Sequence, residues 1–235
     1  PKAQLIYVYG AYGSSTPIGW PYNTWYPLFK RGWALVFSLV RGGGDIDAAW
    51  AEMARRQNRH VSVEDFEAVI RASQHKLRLG PKETVIYGRS AGGLPVGAIV
   101  SRFPDGHLVG AAFTEVPYVD VLRTTTNPHL PLTVLEYDEF GNPADGIHEF
   151  RTILDLSPVN IKESPDIFVL IRTSENDSQV FPYESYKWLE ALRKDKKDTT
   201  KLLYNTPKKG HFVNSSENFS EDFFLLKSFR DEQKG

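Results

Sequence analysis

Apolar and polar positions along the chain alternate between strand-like and helix-like patterns. Leu5 to Tyr9 is a short β-rich run that ends in a glycine turn, Gly10 to Gly13. Trp33 to Val40 is nearly all apolar, the pattern of a strand buried on both faces. Ser62 to Leu79 predicts a helix with Phe66, Val69, Ile70 and Leu77 on one face. Ser62 with Asp65 suggests a capping box at its start, and Gly80-Pro81 a stop. Thr84 to Tyr87 is the next strand, and a small-residue helix, Leu94 to about Arg102, follows it closely. Val109 to Thr114 and Ile167 to Thr173 are further strands. Tyr183 to Arg193 is a helix with Pro182 near its first position, and Leu202 to Tyr204 is the last strand. A final helix, about Glu217 to Arg230, carries Phe219, Phe223 and Leu226 on one face. This alternation predicts an α/β fold with a mainly parallel sheet, and no linker or repeat divides residues 1–235.

The chain has 235 residues, 41% hydrophobic and 24% charged, as a globular domain should. Apolar runs such as Ala34 to Val40 are far too short to span a bilayer, and no secretory signal is visible. Lys and Arg number 28 against 29 Asp and Glu, so no global charge favours nucleic acid. Cysteine is absent, which excludes disulfides, thiolate metal sites and a cysteine nucleophile. That fits a reducing cytosol, and a cytoplasmic location is the expectation. Arg41-Gly42-Gly43-Gly44 lacks the lysine and spacing of a phosphate-cradling loop.

Gly88-Arg89-Ser90-Ala91-Gly92 fits G-x-S-x-G between a strand and a small-residue helix. The chemistry needs this spacing. The serine must stand at the apex of a strained turn, with glycines where side chains would collide. The Ala91 N–H then faces a developing oxyanion at a helix N-terminus. This is the nucleophile turn of an α/β-hydrolase fold, whose triad follows in the order serine, acid, histidine. Six histidines are present: His60, His75, His107, His129, His148 and His211. The strand ending near Thr173 is followed by Ser174-Glu175-Asn176-Asp177-Ser178, and only His211 lies beyond it. Asp177 and His211 fall where strand ends meet loops; Glu175 is a rival acid. Such a triad requires no cofactor and no metal.

Several longer stretches join this motif. They are Tyr7-Val8-Tyr9-Gly10-Ala11-Tyr12-Gly13, Val40-Arg41-Gly42-Gly43-Gly44-Asp45 and Val116-Pro117-Tyr118-Val119-Asp120-Val121. Pro131-Leu132-Thr133, Glu136 through Pro143, Asn176 through Val180 and Gly210-His211 follow. With them the chain resembles the prolyl oligopeptidase family of serine peptidases, in its oligopeptidase B branch. The resemblance covers essentially the whole sequence. It implies hydrolysis of short basic peptides after Arg or Lys through an acyl-enzyme. Tyr9 matches a tyrosine whose hydroxyl is a second oxyanion donor beside Ala91. Gln179 matches a substrate-backbone contact. Glu136 and Asp138 match acidic residues that receive the substrate cation, with Glu136 the main contact; a solvated acidic loop of Glu136, Asp138 and Glu139 is the plain alternative.

Two departures stand out. Where some relatives carry a second acidic pair favouring dibasic sites, this chain has Pro17 and Gly19. Val8 replaces a glycine of the first motif and would slightly crowd the oxyanion loop. The resemblance also implies an N-terminal β-propeller and earlier hydrolase strands, both absent from this sequence. The expectation is therefore a catalytic domain incomplete at its N-terminus, with an uncovered sheet edge and apolar face, and poor solubility or a partner chain. A related esterase or aminopeptidase, or a non-catalytic truncated interaction domain, are the competing readings.

Overall fold

A computed structural model describes residues 1–16, 25–194 and 200–212. Six strands form one sheet: β1 (Ala3–Val8), β2 (Trp33–Phe37), β3 (Thr84–Arg89), β4 (Ala111–Glu115), β5 (Phe168–Ser174) and β6 (Lys201–Thr206). Their order is β2-β1-β3-β4-β5-β6, and every neighbouring pair is parallel. Four longer helices connect them: α1 (His60–Leu77), α2 (Gly93–Arg102), α3 (Ile147–Leu156) and α4 (Pro182–Arg193).

The period-2 pattern of the strands sorts two cores. Ile6, Val8, Ile86, Ala112, Val169 and Ile171 point to one face, with Phe66 and Ile70 of α1, Leu94 of α2 and Trp188 of α4. Burying each such large side chain contributes ~1.5–3 kcal/mol. Leu5, Val85, Tyr87, Phe113 and Leu170 point to the other face, where Leu28 and Trp25 pack. No helix among the described residues is long and apolar enough to cross a membrane.

Several sequence expectations need correction. The second strand stops at Phe37, and only Trp33 in it is fully buried. It is an edge strand among the described residues, so its residues lack a neighbour on one side. Helix α1 begins at His60, two residues early, and has no capping box. Ser62 Oγ instead donates to the Arg59 carbonyl. The Asp65 carboxylate is drawn away by Arg41, which reaches it from Nε at 2.8 Å and from its backbone N at 2.9 Å. The helix ends at Leu77, before Gly80-Pro81, because Arg78 turns left-handed at φ 55° and Leu79 N bonds back to Gln74 O. Helix α3 was not expected at all. The helix expected at 217–230 and the positions of Pro17 and Gly19 lie outside the described residues.

Because all strands are parallel, their C-terminal ends share one rim. Tyr9 leaves β1 there, Ser90 leaves β3, Val116 leaves β4, Asp177 follows β5 and His211 follows β6.

Candidate active site

Ser90 sits at the apex of the turn between β3 and α2 with φ 52°, a left-handed conformation that a non-glycine residue rarely holds. The turn closes only because its flanks lack side chains. A Cβ on Gly88 would lie 2.1 Å from the Gly92 carbonyl oxygen, and one on Gly92 would lie 2.5 Å from the Val8 carbonyl oxygen. The strain presents Ser90 Oγ to a ring nitrogen: His211 Nε2 is 3.0 Å away. The other nitrogen, His211 Nδ1, is 2.7 Å from Asp177 Oδ2. Asp177 is itself held, since its Oδ1 accepts the backbone N–H groups of Gln179 at 2.9 Å and Val180 at 3.0 Å. Both Asp177 and His211 are buried. This geometry chooses Asp177 over Glu175, which is exposed and caps the Lys208 N–H at 3.0 Å. The five other histidines are not in this constellation.

A cavity of about 410 Å³ opens beside the serine. Ser90, Ala91, Tyr9, Glu136, Gln179 and His211 all line it. Burial raises the Tyr9 phenol above its usual range, with Arg89 opposing, so the hydroxyl keeps its proton as a donor must. Glu136 is half-buried, and burial pushes its carboxyl up. The Tyr12 hydroxyl, which donates to Glu136 Oε1 at 2.5 Å, pulls it back down, and His211 does so more weakly. Asp138 is exposed and does not line the cavity. Among the described residues, no group of three or more His, Asp or Glu side chains converges as a metal centre would require.

The supporting residues escaped the sequence reading. Glu139 is not part of a solvated acidic loop. It is buried against Arg59, whose Nη1 lies 2.7 Å from Glu139 Oε1, and the same oxygen accepts the Tyr12 N–H at 2.9 Å. Arg59 also donates to the Gly10 carbonyl, so one guanidinium ties the turn after Tyr9 to the acidic segment. Arg89, the variable residue of the serine motif, donates to the His211 carbonyl. Val8 is fully buried in the core. These partners lie 49 to 127 residues apart, and no local spacing signals them.

Comparison with known proteins agrees with this geometry. The model of the prolyl oligopeptidase family matches residues 21–234. Protease 2 of Moraxella lacunata is 34% identical over 218 residues, 92% of this chain and 31% of that protein. The structure of oligopeptidase B from Leishmania major superimposes with a TM-score of 0.89 at 28% identity, over 98% of this chain and 33% of its own. Oligopeptidase B from Trypanosoma brucei, solved in a closed form with covalently bound antipain, gives 0.89 at 30% identity, over 97% and 33%. The chain thus spans about a third of the length of these relatives. Its parallel sheet and flanking helices are the α/β-hydrolase fold.

Proposed function

The chain belongs to the prolyl oligopeptidase family, and on that premise we propose that it hydrolyses short peptides on the C-terminal side of Arg or Lys. The observation that carries the reading is the unbroken relay from Asp177 through His211 to Ser90, opening onto a cavity that also holds a carboxylate.

In this mechanism His211 Nε2 takes the proton from Ser90 Oγ as the oxygen attacks the scissile carbonyl. Asp177 holds the Nδ1–H and stabilises the imidazolium; it does not take the proton. Its own two backbone donors keep it aligned. The oxyanion is received by the Ala91 N–H and the Tyr9 hydroxyl, donors aimed at charge that develops only in the transition state. His211 then protonates the leaving amine, and water attacks the acyl-enzyme by the reverse proton path. Glu136 faces the cation of the substrate side chain, where a carboxylate in a partly desolvated pocket pairs with a guanidinium. Gln179, on the cavity wall, contacts the peptide backbone. The likeness to a relative that holds antipain covalently supports a nucleophilic mechanism.

Two measurements test the reading. Labelling by a fluorophosphonate, with the adduct mapped to Ser90, tests the nucleophile. Turnover of amide substrates with Arg, Lys or Pro before the cleaved bond tests the specificity. Labelling without preference for Arg or Lys would leave a hydrolase of the same fold with another substrate.

A further inference from the structure

One wall of the cavity rests on a buried carboxylate that accepts three hydrogen bonds from it. The wall is the segment 116–125, which leaves β4 at Val116. Its φ of 41° is a left-handed conformation that a β-branched residue holds only when its surroundings impose it. Two residues on, Tyr118 N donates to the Ser90 carbonyl oxygen at 2.9 Å, and the Tyr118 and Thr124 side chains line the cavity. The segment therefore touches both the backbone of the serine and the substrate space.

Glu184 braces this segment from Val119 onward. It stands in the first turn of α4, 1% exposed. Its Oε2 accepts two successive backbone N–H groups, Val119 and Asp120, each at 2.9 Å. Its Oε1 accepts the Thr124 hydroxyl at 2.9 Å. All three donors belong to the one segment, and an ionised carboxylate accepts such bonds about twice as strongly as a neutral group.

We infer that Glu184 is a positioning residue of the proposed reaction, whose ionised carboxylate clamps segment 116–125 and through Tyr118 fixes the Ser90 backbone. The inference deepens the peptidase reading and rests on it. Burial raises the Glu184 carboxyl to about 7, with the three hydrogen bonds opposing and Asp120 adding to the rise. The other charged and titratable groups around it are Asp120, paired with Lys187, then Tyr118 and Tyr183, with Arg123 over the Tyr183 ring at 5.8 Å. A carboxyl raised in this way takes up its proton as the pH falls through neutrality. The proton turns an acceptor oxygen into a hydroxyl, and the clamp weakens on the acid side.

The test is the rate at which a fluorophosphonate labels Ser90, the Ser90 Oγ–phosphorus bond forming as fluoride leaves. It is measured from about pH 5 to 9 on the wild-type chain, Glu184→Gln and Thr124→Val. One required ionisation gives a limb of about tenfold per pH unit on the acid side, and a second steepens the wild-type limb toward ~100-fold per unit. In Glu184→Gln the second ionisation disappears, leaving a limb of about tenfold per unit and a rate at high pH about tenfold lower. Thr124→Val removes one hydrogen bond to the charged form, so the second ionisation moves to higher pH. A merely structural role would lower Tm and leave the slope unchanged. Superimposable, scaled profiles for wild type and Glu184→Gln would overturn the clamp. If Glu184→Gln fails to fold, Thr124→Val decides: an upward shift supports the clamp and no shift overturns it. A wild-type chain that never labels would overturn the peptidase reading and the clamp together; labelling with an unaltered slope overturns the clamp alone.

Discussion

Replacing Glu136 by Gln keeps the size of the side chain and removes its charge, so it isolates what the carboxylate does for a cationic substrate. Loss of one partner of a buried charge pair costs about 2–5 kcal/mol, much of it from leaving the other charge unpaired. Glu136 is only half-buried, so solvent screens part of that, and the lower end, about 2–3 kcal/mol, applies. At ~1.4 kcal/mol per tenfold, kcat/KM for an Arg-amide falls about 30- to 150-fold. Hydrolysis of an uncharged ester is unchanged, because the relay of Asp177, His211 and Ser90 is untouched. Asp138→Asn, at an exposed position outside the cavity, changes the Arg-amide rate by no more than a few-fold, since exposed pairs contribute ~0–1 kcal/mol. The carboxyl of Glu136 is raised by burial. Selectivity for Arg over the ester is therefore present above that raised value. It is lost on acidification at a higher pH than the ~4.3 of an exposed glutamate. The assay compares Arg-amide and ester kinetics across pH in wild type and the two variants. Equal losses on both substrates would show that Glu136 supports the fold through Tyr12. No loss on either would remove the case for cleavage after Arg or Lys.

Ser90→Ala abolishes fluorophosphonate labelling with an unchanged circular dichroism spectrum, and His211→Ala lowers turnover nearly as far, because triad members act as a unit; a His211→Ala protein with near-full turnover refutes the assignment. Tyr9→Phe lowers kcat about 10²–10³-fold with little change in KM, as loss of one oxyanion donor should; an unchanged kcat makes Tyr9 a packing residue only. Gly88→Ala sets a methyl group 2.1 Å from the Gly92 carbonyl oxygen, and the forced backbone shift costs at least ~1–3 kcal/mol. It should appear as a lowered Tm together with lost labelling, and wild-type values of both would contradict the turn geometry.

Local chemistry made much of this protein legible in its sequence. Val85-Ile86-Tyr87 in β3 and Val169-Leu170-Ile171 in β5 are short apolar runs buried on both faces, and such a run needs no partner to be recognised. The serine turn was legible because Gly88 answers a collision with the Gly92 carbonyl four residues on, while the need for Gly92 comes from the distant Val8 carbonyl; the order of acid and histidine follows the α/β-hydrolase pattern. Tertiary structure decided what depends on distant pairs. The choice of Asp177 over Glu175 rests on a histidine 34 residues further on. The buried Arg59–Glu139 pair spans 80 residues, and the Glu184 bonds to segment 116–125 span 60 to 65. Helix α3 is different: its stripe of Ile153 and Leu156 is regular and buried, and only its first turn departs from it, where Glu149 is buried against Arg56 and Ile147 is exposed. A buried charge is tolerated only where its partner arrives, and in this chain the partner arrives through the fold.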